Sequence, residues 1–313
     1  MYLKQTNAQE LGWRNGVARQ AGPYLLISKA WLNWMPPLSD TITNDMCPIT
    51  VTFSNGSRAV LPYVWHNDKV TLGKPNGRDE YRIYIAAAVK SGQVELEPGD
   101  FVGFAQDRNS PYSNALKMYC FTRGSTDHSR LSDLKPTAAS YWEHNYTIEQ
   151  KTEITSQEVV TVDIEGINSR IEANQAPESV LASRLGQASF RDIVLAAYDS
   201  KCAVTGKFIR AGDFLNVEAA HIIPVAHGGN NLPSNGLALT RDLHWAFDKG
   251  AFTLTMDKKI EVHPSITGEL LDLNGKSIRE PSAEFFAPAV DQIRYHRTKI
   301  YGMFLESGLI QSS

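Results

Sequence analysis

Short runs of β-branched and aromatic residues, separated by turn sequences, dominate the first third of the chain. The apolar runs are Tyr24–Ser28, Ile49–Phe53, Arg58–Val64, Glu80–Ile85 and Asp100–Phe104. The segments between them, Ser54–Ser57, Gly73–Arg78 and Glu97–Asp100, contain the Gly, Pro, Asn and Ser residues of turns. Short strands with frequent turns predict a small β-barrel, with a short helix at Ala30–Trp34.

The pattern changes to helical spacing near residue 166. The apolar residues that recur at this spacing are Val180, Leu181, Leu185, Ile193, Val194, Ala197 and Tyr198. Beyond Lys201 the chain reads as strand, loop, strand and helix, and a further helix is predicted over Ala289–Phe304. The predicted fold class is therefore α+β, with β structure in front and a compact mixed domain at the back.

Charge divides the chain into three segments. Residues 1–124 hold 13 Lys and Arg against 10 Asp and Glu, residues 125–183 hold 4 against 10, and residues 184–313 hold 14 against 14. We therefore expect a β-barrel domain at 1–124, an acidic linker or helical connector at 125–183, and a second domain at 184–313. With a net charge of only -3, any nucleic-acid role depends on local patches.

Composition narrows the class of protein further. The three cysteines are far apart, which argues against a disulfide framework and against structural zinc, and favours a reducing compartment. The longest apolar run, Ile83–Val89, is too short to cross a bilayer, and the first residues do not resemble a secretory signal. A cytoplasmic protein without a membrane partner is the expectation.

Four polar side chains in the back segment have the spacing of a hydrolytic site. His221 ends a predicted strand, Asn235 opens the next one, and His244 and Asp248 lie four residues apart on the following helix. Residues at i and i+4 share a helix face, so His244 and Asp248 can point at one cation. A base beside a divalent cation is the minimum equipment for cutting a phosphodiester bond.

This arrangement resembles the HNH endonuclease family, whose ββα-metal site has the same order. The resemblance covers about residues 184–304 and includes Arg184–Gln187, Phe190–Arg191, Val194–Leu195, Ala197–Tyr198, Cys202–Gly206 and Phe247–Phe252. It implies that His221 is the general base, that Asn235 orients it through its loop, and that His244 and Asp248 hold the cation. The implied cofactor is Mg²⁺, with Mn²⁺ or Co²⁺ as alternatives.

The position before the base histidine departs from the family pattern. Many members have an acidic or histidine ligand there, whereas this chain has Ala220. Glu218, on the same strand face, can supply the missing ligand, or water can fill the gap. The competing interpretation of Glu218 is a strand-edge carboxylate paired with Arg or Lys. Arg184 and Arg191 either approach the DNA backbone or lie in structural or solvated positions.

The front domain resembles the DNA-binding pseudobarrel of certain restriction endonucleases and of plant B-three transcription factors, in which two arms grip the major groove. The resemblance covers about residues 3–107, and Asn, Gln and Arg are side chains that read base edges. It places on the arms Gln9, Trp13, Arg14, Asn15, Arg19, Gln20, Asn76, Arg78, Glu80 and Arg82. Ordinary surface loops are the competing interpretation.

Together these patterns predict a restriction-type endonuclease that cleaves double-stranded DNA, as a homodimer or as a transient dimer on DNA, because one site cuts one strand. Three alternatives remain open at this point. The front domain can sense methylated or hydroxymethylated bases, it can bind a signalling nucleotide that activates a defence nuclease, or the chain can be a DNA-binding protein without catalysis.

Overall fold

A computed structural model describes residues 1–14, 17–18, 22–108, 110, 115–149, 159–174, 177–212 and 214–305. The chain folds as two compact units, Met1–Arg184 and Leu185–Ser313. Both contain strands and helices, so the predicted α+β class is confirmed at that level. No helix in the described ranges is both long and apolar enough to cross a membrane.

The first unit is built on a nine-stranded sheet. Its strands, together with one separate hairpin (β2 and β3), are β1 Tyr2–Gln5, β2 Trp13–Arg14, β3 Val17–Ala18, β4 Tyr24–Ile27, β5 Met46–Phe53, β6 Arg58–His66, β7 Glu80–Tyr84, β8 Phe101–Gln106, β9 Ala115–Phe121, β10 Tyr141–Glu143 and β11 Val160–Val162. The sheet order is β10-β1-β8-β9-β5-β6-β7-β4, and it curls as a half-barrel. β11 adds in parallel to the first three residues of β6.

The described residues of this unit also form the α-helices α1 Asp68–Thr71, α2 Ala86–Lys90, α3 Thr126–Leu134, α4 Ile164–Asn174 and α5 Glu178–Arg184. The main core lies on one face of the sheet, where side chains such as Leu25, Ile49, Leu61 and Ile83 are fully buried. A second, smaller core forms around Phe101 and neighbouring aromatic residues. The predicted short helix is present as a 3-10 helix, Lys29–Trp34.

All five apolar runs of the front segment contain strands, as predicted. The start of the predicted N-terminal arm differs, because residues 2–5 form β1 between β8 and β10. Lys4 is only 4% exposed there and forms an ion pair with buried Glu10. The buried Lys4 hid the apolar pattern that marks β1 as a strand. Its ion pair with Glu10 compensates the cost of burying the charge.

The acidic segment 125–183 was expected to connect two domains, but the structure places it within the first unit. β10 pairs with β1, β11 pairs with β6, and Ile167 of α4 is buried. The guanidinium of Arg170 lies 3.8 Å from the centre of the Tyr84 ring. Glu165 and Glu172, two of the acidic residues of this segment, are exposed on α4, and the charge of the segment therefore gave no information about the contacts of its buried side chains.

Where the second unit is described, its strands and α-helices are β12 Arg210–Ala211, β13 Phe214–Leu215, β14 Val217–His221, β15 Gly236–Thr240, β16 Phe252–Leu254, β17 Ile260–Val262, α6 Gln187–Ala197, α7 Arg241–Asp248 and α8 Val290–Lys299. The strands pair as three antiparallel hairpins in chain order. α6 packs on the β14–β15 hairpin, and α8 packs on β16. The predicted helix at Ala289–Phe304 is therefore present, although α8 ends at Lys299.

Candidate active site

The predicted strand–loop–strand–helix order is present at residues 217–248. β14 and β15 pair antiparallel, with His221 opposite Gly236. α7 follows directly after β15 and buries Leu243, Ala246 and Phe247. This amphipathic pattern leaves His244 and Asp248 together on the other side of the helix, where Nε2 of His244 is 3.5 Å from Oδ2 of Asp248.

His221 is held at the end of β14 by two contacts. Its ring stacks on Phe190 of α6, with centroids 3.9 Å apart and planes 15° apart. Its Nε2 lies 3.1 Å from Oδ1 of Asn231 in the loop between β14 and β15. Burial lowers the pKa of His221, and the charge on His244 lowers it further, whereas Asn231 and Asp248 act in the opposite direction. The neutral imidazole that a general base requires is therefore favoured.

Asn235 fastens the loop that follows His221. Its side chain is fully buried; Oδ1 accepts from the backbone N–H of Ile223 at 2.8 Å, and Nδ2 donates to the carbonyls of Ile223 and Asn230 at 3.1 and 2.9 Å. Gly229 is needed in the same loop, because a Cβ there would lie 1.8 Å from the Ile223 carbonyl oxygen. Asn235 thus joins Ile223 and Asn230, the two ends of the loop segment that follows His221.

Glu218 contacts two residues of α7 through hydrogen bonds. Its Oε2 accepts from Nδ1 of His244 at 2.9 Å and its Oε1 accepts from Nε of Arg241 at 2.9 Å. Burial alone would raise the pKa of Glu218, but His244 and Arg241 together lower it. A carboxylate on Nδ1 fixes the tautomer that leaves Nε2 of His244 free for a cation. This arrangement is closer to the paired strand-edge carboxylate than to a third ligand.

His244 and Asp248 fit a cation site only in part. No group of three or more His, Cys, Asp or Glu side chains in the described parts of the chain is placed to hold a metal ion. The 3.5 Å between His244 Nε2 and Asp248 Oδ2 is longer than the ~3.0 Å between adjacent ligands at ~2.1 Å from an ion in the octahedral geometry of Mg²⁺, so these two side chains would have to approach each other by about 0.5 Å to share one ion. Burial raises the pKa of Asp248, and the positive charge of His244 opposes that shift. An imidazole and a carboxylate suit a cation that keeps water or substrate oxygens as its other ligands.

The residues predicted for the DNA-binding arms occupy different environments. Gln9, Asn76 and Arg78 are exposed, and Trp13 is 49% exposed on the β2–β3 hairpin. Arg78 also forms an ion pair with Asp68. Asn15, Arg19 and Gln20 lie outside the described residues, and nothing is described of the Arg14 side chain beyond its place in β2.

Arg82 and Glu80 differ from the other arm residues because they pair with each other. Arg82 is only 7% exposed, and its guanidinium lies 4.0 Å from the centre of the Tyr24 ring. Period-2 alternation along β7 places Arg82 on the sheet face opposite Ile83, where the Tyr24 ring and the Glu80 carboxylate compensate its charge.

The two arginines predicted near the nuclease domain also have carboxylate partners. Arg184 donates from Nη1 and Nη2 to the Asp45 carboxylate, at 2.6 Å in both cases, and belongs to the first unit. Arg191 is exposed on α6 and lies 3.5 Å from Asp192. The bidentate Arg184–Asp45 pair is the structural alternative that the sequence left open.

Three residues of the site were not identified from the sequence. Asn231, Phe190 and Arg241 contact His221 or Glu218. Asn231 lies in a run of turn-forming residues that carries no chemical signal, and Phe190 reads as an ordinary apolar position of a helix. Arg241 directly follows β15 and could have been found, because it begins the helix that carries His244.

Part of the chain matches a known protein family. Residues 202–255 match the model of the HNH endonuclease family. No curated protein matches the chain. A solved structure described as a modification dependent TagI restriction endonuclease is 18% identical, with a TM-score of 0.30, over 74% of this chain and 59% of that one. The chain thus spans about 59% of the length of that protein, and a likeness at this level assigns no property to it. The matched residues include β14, β15 and α7, so this part of the chain is similar to the HNH endonuclease family.

Proposed function

We propose that this chain is a restriction-type endonuclease that hydrolyses phosphodiester bonds in double-stranded DNA. The observation that supports this proposal best is the packing of α7, which carries His244 and Asp248, against β14, which ends at His221. The two elements that bring them together, the β14–β15 hairpin and α7, lie within the HNH match.

In this proposal His221 is the general base. Its neutral imidazole takes a proton from the water that attacks the scissile phosphorus, and the lowered pKa keeps the ring neutral at cellular pH. Asn235 keeps the loop after His221 closed, so the ring cannot drift from the attacking water. Glu218 holds His244 in the tautomer with a free Nε2.

His244 and Asp248 would hold the divalent cation, for which Mg²⁺ is proposed and Mn²⁺ or Co²⁺ are the alternatives. When bound, such a cation neutralises developing charge on the phosphate and on the leaving oxygen. Glu218 supports the ligand His244 rather than adding a ligand of its own, because both of its oxygens already accept hydrogen bonds.

The first unit is proposed to choose the target through base-edge contacts. The exposed arm residues Gln9, Trp13, Asn76 and Arg78 are available for this, whereas Arg82 and Glu80 support the arm from within. Phosphate contacts alone position a protein without reading sequence, so exposed amide and guanidinium groups are the better candidates. Because one site cuts one strand, a double-strand break requires two copies, in a homodimer or paired transiently on DNA.

The test is digestion of plain, methylated and hydroxymethylated genomic DNA with Mg²⁺, Mn²⁺ or Co²⁺, followed by sequencing of the ends. Wild type is compared with His221→Ala and Asp248→Asn, with and without EDTA. We expect cleavage by wild type only with a divalent cation and loss of cleavage in both variants. No cleavage of any substrate under any of these metals would refute the nuclease function, and cleavage confined to modified DNA would favour the base-sensing alternative.

The recognition proposal has its own test. Arg78→Ala and Asn76→Ala should weaken discrimination between sites, while cleavage of a high concentration of DNA continues, because these exposed side chains are remote in sequence from the HNH domain. Asp133→Ala, an exposed carboxylate on α3, is the matched surface control. Unchanged site preference in both arm variants would count against base reading by this loop.

A further inference from the structure

The loop between β14 and β15 supplies a side chain that touches the base histidine directly. Asn231 donates from Nδ2 to the carbonyl oxygen of Leu185 at 3.0 Å, and its Oδ1 lies 3.1 Å from Nε2 of His221. Leu185 directly precedes the N-cap of α6, and its side chain is buried. Asn231 therefore bridges the start of α6 and the end of β14.

The Leu185 carbonyl determines which way the Asn231 amide faces. A carbonyl can only accept, so the group facing it must be the Nδ2 amino group. Oδ1 then faces His221, and because Oδ1 is also only an acceptor, the ring nitrogen opposite it must carry a hydrogen. In a neutral imidazole one nitrogen has the proton and the other has the lone pair. The proton therefore belongs on Nε2 and the lone pair on Nδ1.

Phe190 restricts the orientation of the His221 ring. The 3.9 Å stack fixes the plane of the imidazole but not which edge points where, because a half-turn about Cβ–Cγ preserves the plane. The contact with Asn231 separates these two orientations, since only one of them puts Nε2 opposite Oδ1. Among the described residues, Nδ1 of His221 has no hydrogen-bond partner.

We propose that Asn231 is a positioning residue that holds His221 as the Nε2–H tautomer and thereby makes Nδ1 the proton acceptor. This inference rests on the proposed role of His221 as general base. It adds a residue that neither the family match nor the spacing of His221, Asn235, His244 and Asp248 identifies. It also divides the work within one loop, since Asn235 closes the loop backbone and Asn231 selects the state of the ring.

The test reads the tautomer without cleavage. The full chain is labelled with ¹⁵N-histidine, freed of metal, and studied by long-range ¹H–¹⁵N correlation well above the usual histidine pKa, where imidazoles are neutral. The His221 signals, among those of 8 histidines, are identified by their absence from His221→Ala. We expect protonated Nε2 in wild type, a mixture of tautomers in Asn231→Ala, and retained Nε2–H in Asn231→Asp, whose carboxylate still accepts.

Asn230→Ala is the matched control, because Asn230 is in the same loop but its side chain accepts from Leu232 instead of the imidazole. It should keep the wild-type tautomer. In cleavage assays Asn231→Ala should lower kcat by about 10- to 100-fold with little change in KM, as for other residues that orient a working histidine. A wild-type ring with the proton on Nδ1, or an unchanged tautomer in Asn231→Ala, would overturn the proposal.

The spectra also separate this inference from the proposed function. An Nε2–H tautomer that depends on Asn231, found in a protein without nuclease activity, would leave the positioning role intact and refute only the function. Full activity with the opposite tautomer would do the reverse.

Discussion

Two histidines of the second unit are stacked face to face on phenylalanines, and they differ in what their nitrogens do. His221 stacks on Phe190 at 3.9 Å, and His296 stacks on Phe247 at 3.8 Å. His296 is 1% exposed, with Nδ1 paired to Thr253 Oγ1 and Nε2 donating to the Phe247 carbonyl. His221 is half-buried and has a partner on Nε2 only, within the described structure.

The difference shows how one packing motif serves two purposes. Burial lowers the pKa of His296 to about 4, although its hydrogen bond to the Phe247 carbonyl acts in the opposite direction, and the ring stays neutral inside the core. His221 is also shifted downward by burial, but one nitrogen remains available. Stacking supplies rigidity in both cases, and the unpaired nitrogen provides the capacity for proton transfer.

We expect the largest effect from substituting His221, which should change the cleavage rate far more than the free energy of unfolding. His221→Ala should lower the cleavage rate by about 10²- to 10⁴-fold, the usual contribution of a general base. Its free energy of unfolding should change by about 1 kcal/mol or less, because the ring is only half-buried. Single-turnover cleavage and urea unfolding measure the two quantities. A loss of stability as large as that of a core truncation would make His221 a structural residue like His296.

His296→Ala should show the opposite pattern. Removing this buried ring leaves a cavity beside Phe247 and takes away the hydrogen-bond partner of the buried Thr253 hydroxyl, so the free energy of unfolding should fall by about 2–4 kcal/mol. Cleavage measured below the unfolding transition should stay within a few-fold of wild type. Urea titration of both alanine variants in parallel is the measurement. If His296→Ala abolished cleavage while still folded, the division between the two histidines would fail.

Gly236→Ala tests the stack beside His221. A Cβ at this position would lie 2.6 Å from Val194 Cγ2 and 2.9 Å from Phe190 Cε2, so Phe190 must shift. We expect a destabilisation of about 1–3 kcal/mol, as for other overpacked cores, and a lower kcat because the ring plane is disturbed. Ala238→Gly, a neighbouring position of β15, controls for backbone effects. Equal kcat in Gly236→Ala and wild type would show that the stack is dispensable.

The smallest expected effect is in the pH dependence. Because the pKa of His221 is lowered by burial, the acid limb of kcat/KM should lie below the ordinary histidine value near 6.5. His296, with a folded pKa of about 4, binds its proton more weakly in the folded state than in the unfolded state. Stability should therefore fall as the pH drops from about 6.5 toward 4, by up to about 1.4 kcal/mol per pH unit.

Urea titrations at stepped pH check the second part of this prediction, with His296→Gln as the variant that should lose this component of the slope. His66 also contributes to the pH dependence of the free energy of unfolding, because burial and nearby arginines lower the pKa of this buried histidine to about 3. The comparison between wild type and His296→Gln removes that shared contribution. An identical pH slope in both proteins would contradict the assignment to His296.

Local pattern predicted most of the elements but not all of their partners. The five apolar runs became strands because alternation and turn residues are local signals. β1 was missed because buried Lys4 resembles a surface residue until Glu10 is placed beside it. The strands β10 and β11 were missed because three-residue edge strands leave little periodicity, and their stability comes from the neighbours they pair with.

The candidate site was predictable where spacing along the chain decides geometry. His244 and Asp248 share a helix face, and that follows from i and i+4 alone. Glu218 shows the limit of this reasoning, because the strand placed it near His244 but the Arg241 contact made it a supporting carboxylate. Arg82 and Arg184 likewise read as DNA-binding groups until Glu80 and Asp45 were found beside them.

The sequence by itself determined the α+β class, five strands of the first unit (β4 to β8), and the order of histidine, asparagine, histidine and aspartate in the second. Only the tertiary structure decided that Phe190 and Asn231 frame His221 and that β10 and β11 join the first sheet. The physical reason is the range of the forces involved. Backbone periodicity acts over a few residues, whereas a hydrogen bond or a ring stack joins residues whose separation along the chain leaves no trace in the local pattern.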